Sequence, residues 1–289
     1  MDAMARIERS LNAAVAQAEL PGCPPQLAAA MRHAVFPRGA RIRPRLCLAV
    51  AGACGEDDPA VTDAAAAAIE LLHCASLVHD DLPCFDDAAT RRGRPTIHRM
   101  FGEPLAVLAG DALIVLAFET LAHGAACAPL RLAPLLRTVA MAVSVPHGIV
   151  AGQAWECEPS IDLAQYQREK TGALFAAATV AGAAAAGVEA EPWRALGARL
   201  GEAYQVADDI LDATANPEEI GKPVGQDAAH GRPSAVGELG LDGATARLEK
   251  LALEAVDAVP PCPGAAALRN QILSETMRLL PKQLARHAA

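Results

Sequence analysis

Between His79 and Gly93 the chain carries four carboxylates, Asp80, Asp81, Asp86 and Asp87, and then the adjacent guanidinium groups of Arg91 and Arg92. Carboxylates this close repel one another, so any fold that gathers them must neutralise them. A divalent cation among the carboxylates, with a polyanion between it and the arginines, would do so. A hard ion such as Mg2+ takes oxygen ligands, keeps part of its water and shares its shell with substrate phosphate, while arginine forks onto phosphate oxygens. The stretch therefore reads as a diphosphate-metal site. A solvated acidic loop followed by a basic turn is the other reading, and the commoner fate of charge runs.

The second half of the chain shifts that balance, because Tyr204 to Asp212 repeats the theme. Asp208 and Asp212 stand four residues apart and share a helix face, with Gln205 one turn earlier. Two aspartate clusters, each on an apolar helical background, are expected to face each other across a cavity and clamp a metal-bound diphosphate. The pair is far more specific than either cluster alone.

Composition agrees with a helical protein. Among 289 residues, 52% are apolar and only 3% aromatic, with alanine dominant; such a chain suits close-packed helices, since strands favour β-branched and aromatic residues. No linker or composition shift divides it, so residues 1–289 are expected to form a single domain. The net charge of -9 argues against nucleic acid as a partner. Eight cysteines without a CxxC pair read as reduced core thiols. No signal-like segment follows Met1, and the uncharged run Ala173 to Val188, 16 residues long, falls short of the roughly 20 needed to span a bilayer. A cytoplasmic protein without a membrane span is the expectation.

Apolar spacings of three and four predict about twelve helical segments and no convincing strand or hairpin. Asp63 is the expected N-cap of a long helix, Ala64 to Leu82, with His73, Leu77 and Asp80 on one face and Pro83 as its stop. Ahead of it, Arg38, Arg41 and Arg43 are either solvated surface or a second anion-binding point near a helix N-terminus. His73 is either a satisfied core histidine or a ligand two turns below Asp80. A strongly apolar helix from Pro104 to His123 is expected to bury Asp111. Gln153 and Glu156 lie beside Gly152, and Lys170 and Thr171 fall where glycine is expected to disturb helical geometry.

These residues resemble the trans-isoprenyl diphosphate synthases. The resemblance rests on Asp80-Asp81 with four residues before Asp86, then Arg91-Arg92-Gly93; on Gln205 followed by Asp208-Asp209-x-x-Asp212; and on Gly39-x-Arg41-x-Arg43-Pro44, Lys170-Thr171-Gly172 and Gly221-Lys222-Pro223 in family order. Within the family the chain is most similar to bacterial geranylgeranyl diphosphate synthases of carotenoid and bacteriochlorophyll pathways. The resemblance implies an all-α, isoprenoid-synthase-type helical bundle around a deep central cavity, normally a homodimer. It implies that Asp80, Asp81, Asp86, Asp208, Asp209 and Asp212 gather three Mg2+ ions around an allylic diphosphate (dimethylallyl, geranyl or farnesyl). Arg91, Lys170, Thr171, Gln205, Lys222 and Arg232 would hold that substrate, and Arg43, His73 and Arg92 would bind isopentenyl diphosphate. Asp80, Asp81, Asp86, Arg91, Lys170, Gln205 and Asp208 would carry the catalysis. Chain length would be set at Ala75, five residues before Asp80, where a small side chain leaves room for a C20 product; if another wall residue such as Leu72 or Phe118 closes the cavity, the product is C15.

Three positions depart from the family pattern. Ala40 and Gln226 stand where lysines are usual, and Glu156 replaces an aspartate. The missing lysines imply weaker substrate contact, compensation by Arg38 or Arg41, or dependence on a partner subunit. Competing functions are a class I terpene cyclase, which binds one diphosphate where Arg91, Arg92, Arg43 and His73 suggest two, and a non-catalytic regulatory subunit, against which the completeness of both aspartate clusters weighs.

Overall fold

The computed structural model describes residues 2–36, 39–160, 162–214 and 234–279. It is helical almost throughout and divides into two compact units, one of residues 1–140 and 181–190 and the other of 141–180 and 191–289. The expected residues Arg38, Lys222, Gln226 and Arg232 lie outside the described residues.

The first unit is built from α1 (Ala3–Ala16), α2 (Pro25–Val35), α3 (Ile42–Cys54), α4 (Pro59–Asp80), α5 (Ile97–Phe101) and α6 (Glu103–Gly124), followed by the start of α7 (Pro129–Val143). Its core is the pairing of α4 with α6. Along α4 the small side chains from Ala64 to Ala68 are buried, continuing into Ile69, Leu71, Leu72, Cys74 and Ala75; α6 answers with Ala106, Ala109, Leu113, Leu116 and Ala117. Alanine buries little area per residue, so such a core is stable only when backbones pack closely at interior density.

Helix α4 starts earlier than its apolar pattern suggests. Asp58, not Asp63, is the N-cap: its carboxylate accepts from the N–H groups of Ala60 and Val61, and Pro59 takes the first helical position, where a missing N–H costs nothing. Asp63 instead accepts from Arg6 at 2.7 Å. Asp111 is also corrected: its side chain is 59% exposed, because its face of α6 also leaves Val107, Leu108 and Val115 exposed. By length and hydropathy both α4 and α6 are long and apolar enough to cross a membrane; α4 is mostly buried within the protein and α6 much less so.

The expectation of no hairpin fails at one place. Thr90–Arg91 and Arg94–Pro95 pair antiparallel as β1 and β2, joined by Arg92 and Gly93 with φ of 53° and 74°. Two central residues with positive φ make the turn that matches strand twist. With two residues per strand, alternation of side chains leaves no pattern to read.

The second unit comprises α8 (Ile149–Ala154), α9 (Leu163–Gln167), a π-helical turn (Arg168–Gly172), the first part of α10 (Ala173–Ala185), α11 (Arg194–Thr214), α12 (Ala235–Asp257) and α13 (Ala265–Met277). Helix α12 bends at Gly240, whose φ of 69° is not helical. Ala203, Ala207 and Ile210 of α11 pack on Ala244, Leu248 and Leu251 of α12. The uncharged segment from Ala173 is a buried helix, as its length suggested.

Arg41 resolves the question left by the three arginines of the α2–α3 turn. It is neither surface nor anion site: its side chain is fully buried, paired with Glu70 of α4 at 2.7 Å and Glu8 of α1 at 3.0 Å, and it donates to the Val35 carbonyl of α2. The compensation for Ala40 expected of Arg41 is therefore corrected, because this guanidinium is committed to the core. Glu70→Ala, which leaves a buried charge short of its partner, should lose roughly 3 to 5 kcal/mol of stability, read from denaturant midpoints.

Candidate active site

In the first unit, α4 ends at the carboxylates. Asp81 is its C-cap, and the loop beyond folds back on the helix end: the N–H of Asp86 donates to the Asp80 carbonyl at 3.0 Å, and those of Phe85 and Asp87 to the Leu82 carbonyl at 2.9 and 3.1 Å. This turn-back brings Asp86 beside the end of the helix that carries Asp80 and Asp81. Arg91 closes the arrangement from the hairpin. Its Nη2 lies 2.7 Å from Asp81 Oδ1 and 3.8 Å from Asp80 Oδ2, and its Nε donates to the same Asp81 oxygen at 2.8 Å. Burial pushes the Asp81 carboxyl above its usual range, opposed by Arg91. Asp86 remains exposed.

A second cationic group stands lower on α4. Arg43, in the first turn of α3, places Nη1 3.5 Å from His73 Nε2. Burial, and then the charges of Arg43, Arg92, Arg91 and Arg41, hold the His73 imidazole well below its usual range. Arg92 packs its guanidinium against Gly39; a Cβ there would fall 2.5 Å from Arg92 Cζ. The unit thus holds Arg91 on the carboxylates and Arg43 on His73, with the Arg92 charge also acting on that imidazole. His73, Ser76, Leu77 and Asp80 form the partly open stripe of α4, spaced three and four apart. Ala75 sits off that stripe with its methyl buried.

In the second unit, α11 carries the other cluster. Asp208 and Asp212 are half-buried, four residues apart, whereas Asp209 is buried. One oxygen of Asp209 accepts from Gln205 at 3.0 Å and the other from the Ala235 N–H at 2.7 Å; burial raises its carboxyl above the usual range. Asp209 therefore braces Gln205 and the start of α12. Gln205 in turn accepts from Thr171 Oγ1 at 3.2 Å. Lys170 pairs with Glu156 at 2.7 Å, and Glu156 also accepts from Tyr166 and Gln153. The expected disturbance at Lys170-Thr171-Gly172 is real, a π-helical turn. Gly152 makes it possible: a Cβ there would lie 2.4 Å from the Lys170 nitrogen.

Sequence reasoning missed Glu169. It is buried and accepts from Trp155 at 2.8 Å, Gln165 at 3.0 Å and His147 at 3.2 Å, anchoring the turn that presents Lys170. Its adjacency to Lys170 was the only signal, and an exposed charge would look the same. A cavity of about 790 Å³ also lies in this unit, lined by Gly172, Ala176, Gly201, Gln205 and Asp209 among others.

Among the described residues no three His, Cys, Asp or Glu side chains form a ready-made metal cage. The donors that are present fit Mg2+ all the same. They are all carboxylate oxygens, and this ion is held by one or two carboxylates together with water and substrate phosphate rather than by an all-protein cage.

The state of His73 gives a pH test. Its folded pKa lies well below 6.5, so between the two values the unfolded chain binds a proton that the native protein does not, and stability falls as pH drops below about 6.5. The urea midpoint should therefore decline between pH 7 and 5.5, and decline less in His73→Gln.

The polyprenyl synthetase family matches residues 24–262. The geranylgeranyl diphosphate synthase of Cereibacter sphaeroides is 55% identical over 97% of both chains, and that of Rhodobacter capsulatus 53% identical over 92% of both. Among solved structures, an FPP/GFPP synthase from Zymomonas mobilis has a TM-score of 0.80 at 30% identity, covering 95% of this chain and 97% of its own. A Helicobacter pylori geranyltransferase complexed with magnesium and isoprenyl diphosphate has a TM-score of 0.79 at 29% identity, covering 96% and 98%. With the carboxylate-arginine constellation in place and the match running through most of its length, the chain belongs to the polyprenyl synthetase family.

Proposed function

We propose that this protein is a geranylgeranyl diphosphate synthase that condenses isopentenyl diphosphate head-to-tail with an allylic diphosphate, dimethylallyl, geranyl or farnesyl. The observation that carries the reading is the grouping in the first unit: one guanidinium, Arg91, beside the carboxylates, and a separate cationic group, Arg43 with His73 and Arg92, farther down α4. Two anion positions suit two diphosphate substrates, whereas a cyclase binds one. The relatives' names support C20 as the product.

In this reading Asp80, Asp81 and Asp86, with Asp208, Asp209 and Asp212, serve three Mg2+ ions on the allylic diphosphate. Asp209 acts mainly through Gln205, given its buried hydrogen bonds. Held by these carboxylates, Mg2+ would supply the charge that neutralises the leaving diphosphate as it develops. Arg91, Lys170, Thr171 and Gln205 orient the same group, together with Lys222 and Arg232. The allylic C–O bond breaks with its electron pair leaving on diphosphate. The double bond of isopentenyl diphosphate, held by Arg43, His73 and Arg92, attacks the allylic carbon, and the proton then lost goes to the departing diphosphate. Exclusion of water protects the cation. The enzyme works in the cytoplasm as a homodimer; the exposed Val107, Leu108 and Val115 on α6 are the apolar face such pairing would cover.

Incubation with Mg2+, labelled isopentenyl diphosphate and each allylic primer in turn, followed by chromatography, should give C20 product; no incorporation would identify a cyclase or a non-catalytic subunit. Chain length is assigned to Ala75; Ser76, next to it, lies on the open stripe. Ala75→Phe or Ser76→Phe should shorten the product to C15, and C20 from both would place the floor elsewhere. Sedimentation should give twice the chain mass, falling to a single chain in Val115→Asp.

A further inference from the structure

The hairpin that carries Arg91 and Arg92 is too short to hold itself: two residues per strand do not make a stable ribbon. Its position must come from outside ties. Thr96 supplies one, with Oγ1 donating to the Ala88 carbonyl at 2.7 Å, and the Arg91–Asp81 pair supplies another. A third tie runs through a histidine on a different element, α2. His33 Nε2 lies 2.9 Å from the Pro95 carbonyl and Nδ1 lies 2.8 Å from Arg94 Nη2. A carbonyl only accepts and a guanidinium only donates, so this ring is the neutral tautomer with its proton on Nε2. It grips both residues of β2. Arg94 completes the tie by donating Nη1 to the Phe36 carbonyl at the end of α2, at 2.9 Å. The His33 ring also packs edge-on against Phe101 of α5, with centroids 5.8 Å apart.

We propose that His33 and Arg94 form a latch that positions Arg92 for isopentenyl diphosphate. Arg92 sits at the turn of this hairpin with φ of 53°, so its backbone moves with the hairpin. Its guanidinium is seated against Gly39, just ahead of the α3 turn that carries Arg43. His33 and Arg94 thus lock the hairpin, and with it the backbone of Arg92, to the end of α2. The ring and the guanidinium are positioning residues; neither is assigned contact with substrate. The inference rests on the substrate role of Arg92 given above.

The test is steady-state kinetics on the full chain with Mg2+ and a fixed allylic primer. His33→Ala, which removes both ring contacts, should raise KM for isopentenyl diphosphate about tenfold, with kcat within about twofold and a helical circular dichroism spectrum like that of the parent. His33→Gln, whose amide offers one donor and one acceptor, should recover most of the affinity. Arg94→Ala should reproduce His33→Ala and serves in its place if that variant does not fold. In an Arg92→Ala background, adding His33→Ala should raise KM no further. An unchanged KM in His33→Ala and Arg94→Ala, or a full additional rise in the Arg92→Ala background, would overturn the latch alone. An unchanged KM in Arg92→Ala itself would overturn the substrate role of that residue, and the latch with it.

Discussion

The first unit depends on how charge is neutralised at and below the end of α4. Asp81 is buried at the helix terminus and is tolerable there because Arg91 places two nitrogens on one of its oxygens. Charge-assisted bonds of this kind are about twice as strong as neutral ones. That pair closes the loop between helix and hairpin, and so sets where Asp80, Asp86 and Arg92 stand. Deeper in the unit, Arg41 does the same for helix packing, joining Glu8, Val35 and Glu70 from three helices. A buried ion pair of this type adds little net stability but makes the loss of either partner costly. It thereby fixes the register of α3, whose first turn delivers Arg43 to His73.

The second unit handles polar groups by relay rather than by ion pairing alone. Thr171, Gln205, Asp209 and the Ala235 N–H form a continuous hydrogen-bonded chain, so the orientation of Gln205 is determined at both ends. Lys170 is set by Glu156 and by the π-helical turn, a local widening that often accompanies functional sites. Glycines permit this geometry. Gly152 admits the Lys170 backbone, and Gly201 lets α11 approach Gly172, where a Cβ would lie 2.9 Å from its Cα.

Much of this was legible in the residues. The helical fold followed from alanine content and spacing, and the candidate site residues were proposed from two aspartate clusters and an arginine pair whose types and intervals are chemically specific. The hairpin was not legible, because two-residue strands have no period and Arg92-Gly93 is a weak turn signal. The α4 cap was misread because both Asp58 and Asp63 precede apolar residues, and only the backbone shows which carboxylate meets free N–H groups. The sequence leaves Arg41 as either surface or an anion-binding point, and neither its core ion pairs nor the hydrogen bonds that hold Asp209 are legible there, since a charged side chain in sequence carries no mark of burial.

The sequence by itself determined the chemistry: hard oxygen donors, guanidinium groups and an apolar helical frame, which are properties of residue types and their intervals along a helix. Only the tertiary structure decided which of those charges are buried and paired and which stay open to solvent. Arg41 meets Glu8 and Glu70 from other helices, and Asp209 meets the Ala235 N–H at the start of α12; burial with such neighbours, not residue type, sets what a charged side chain can do.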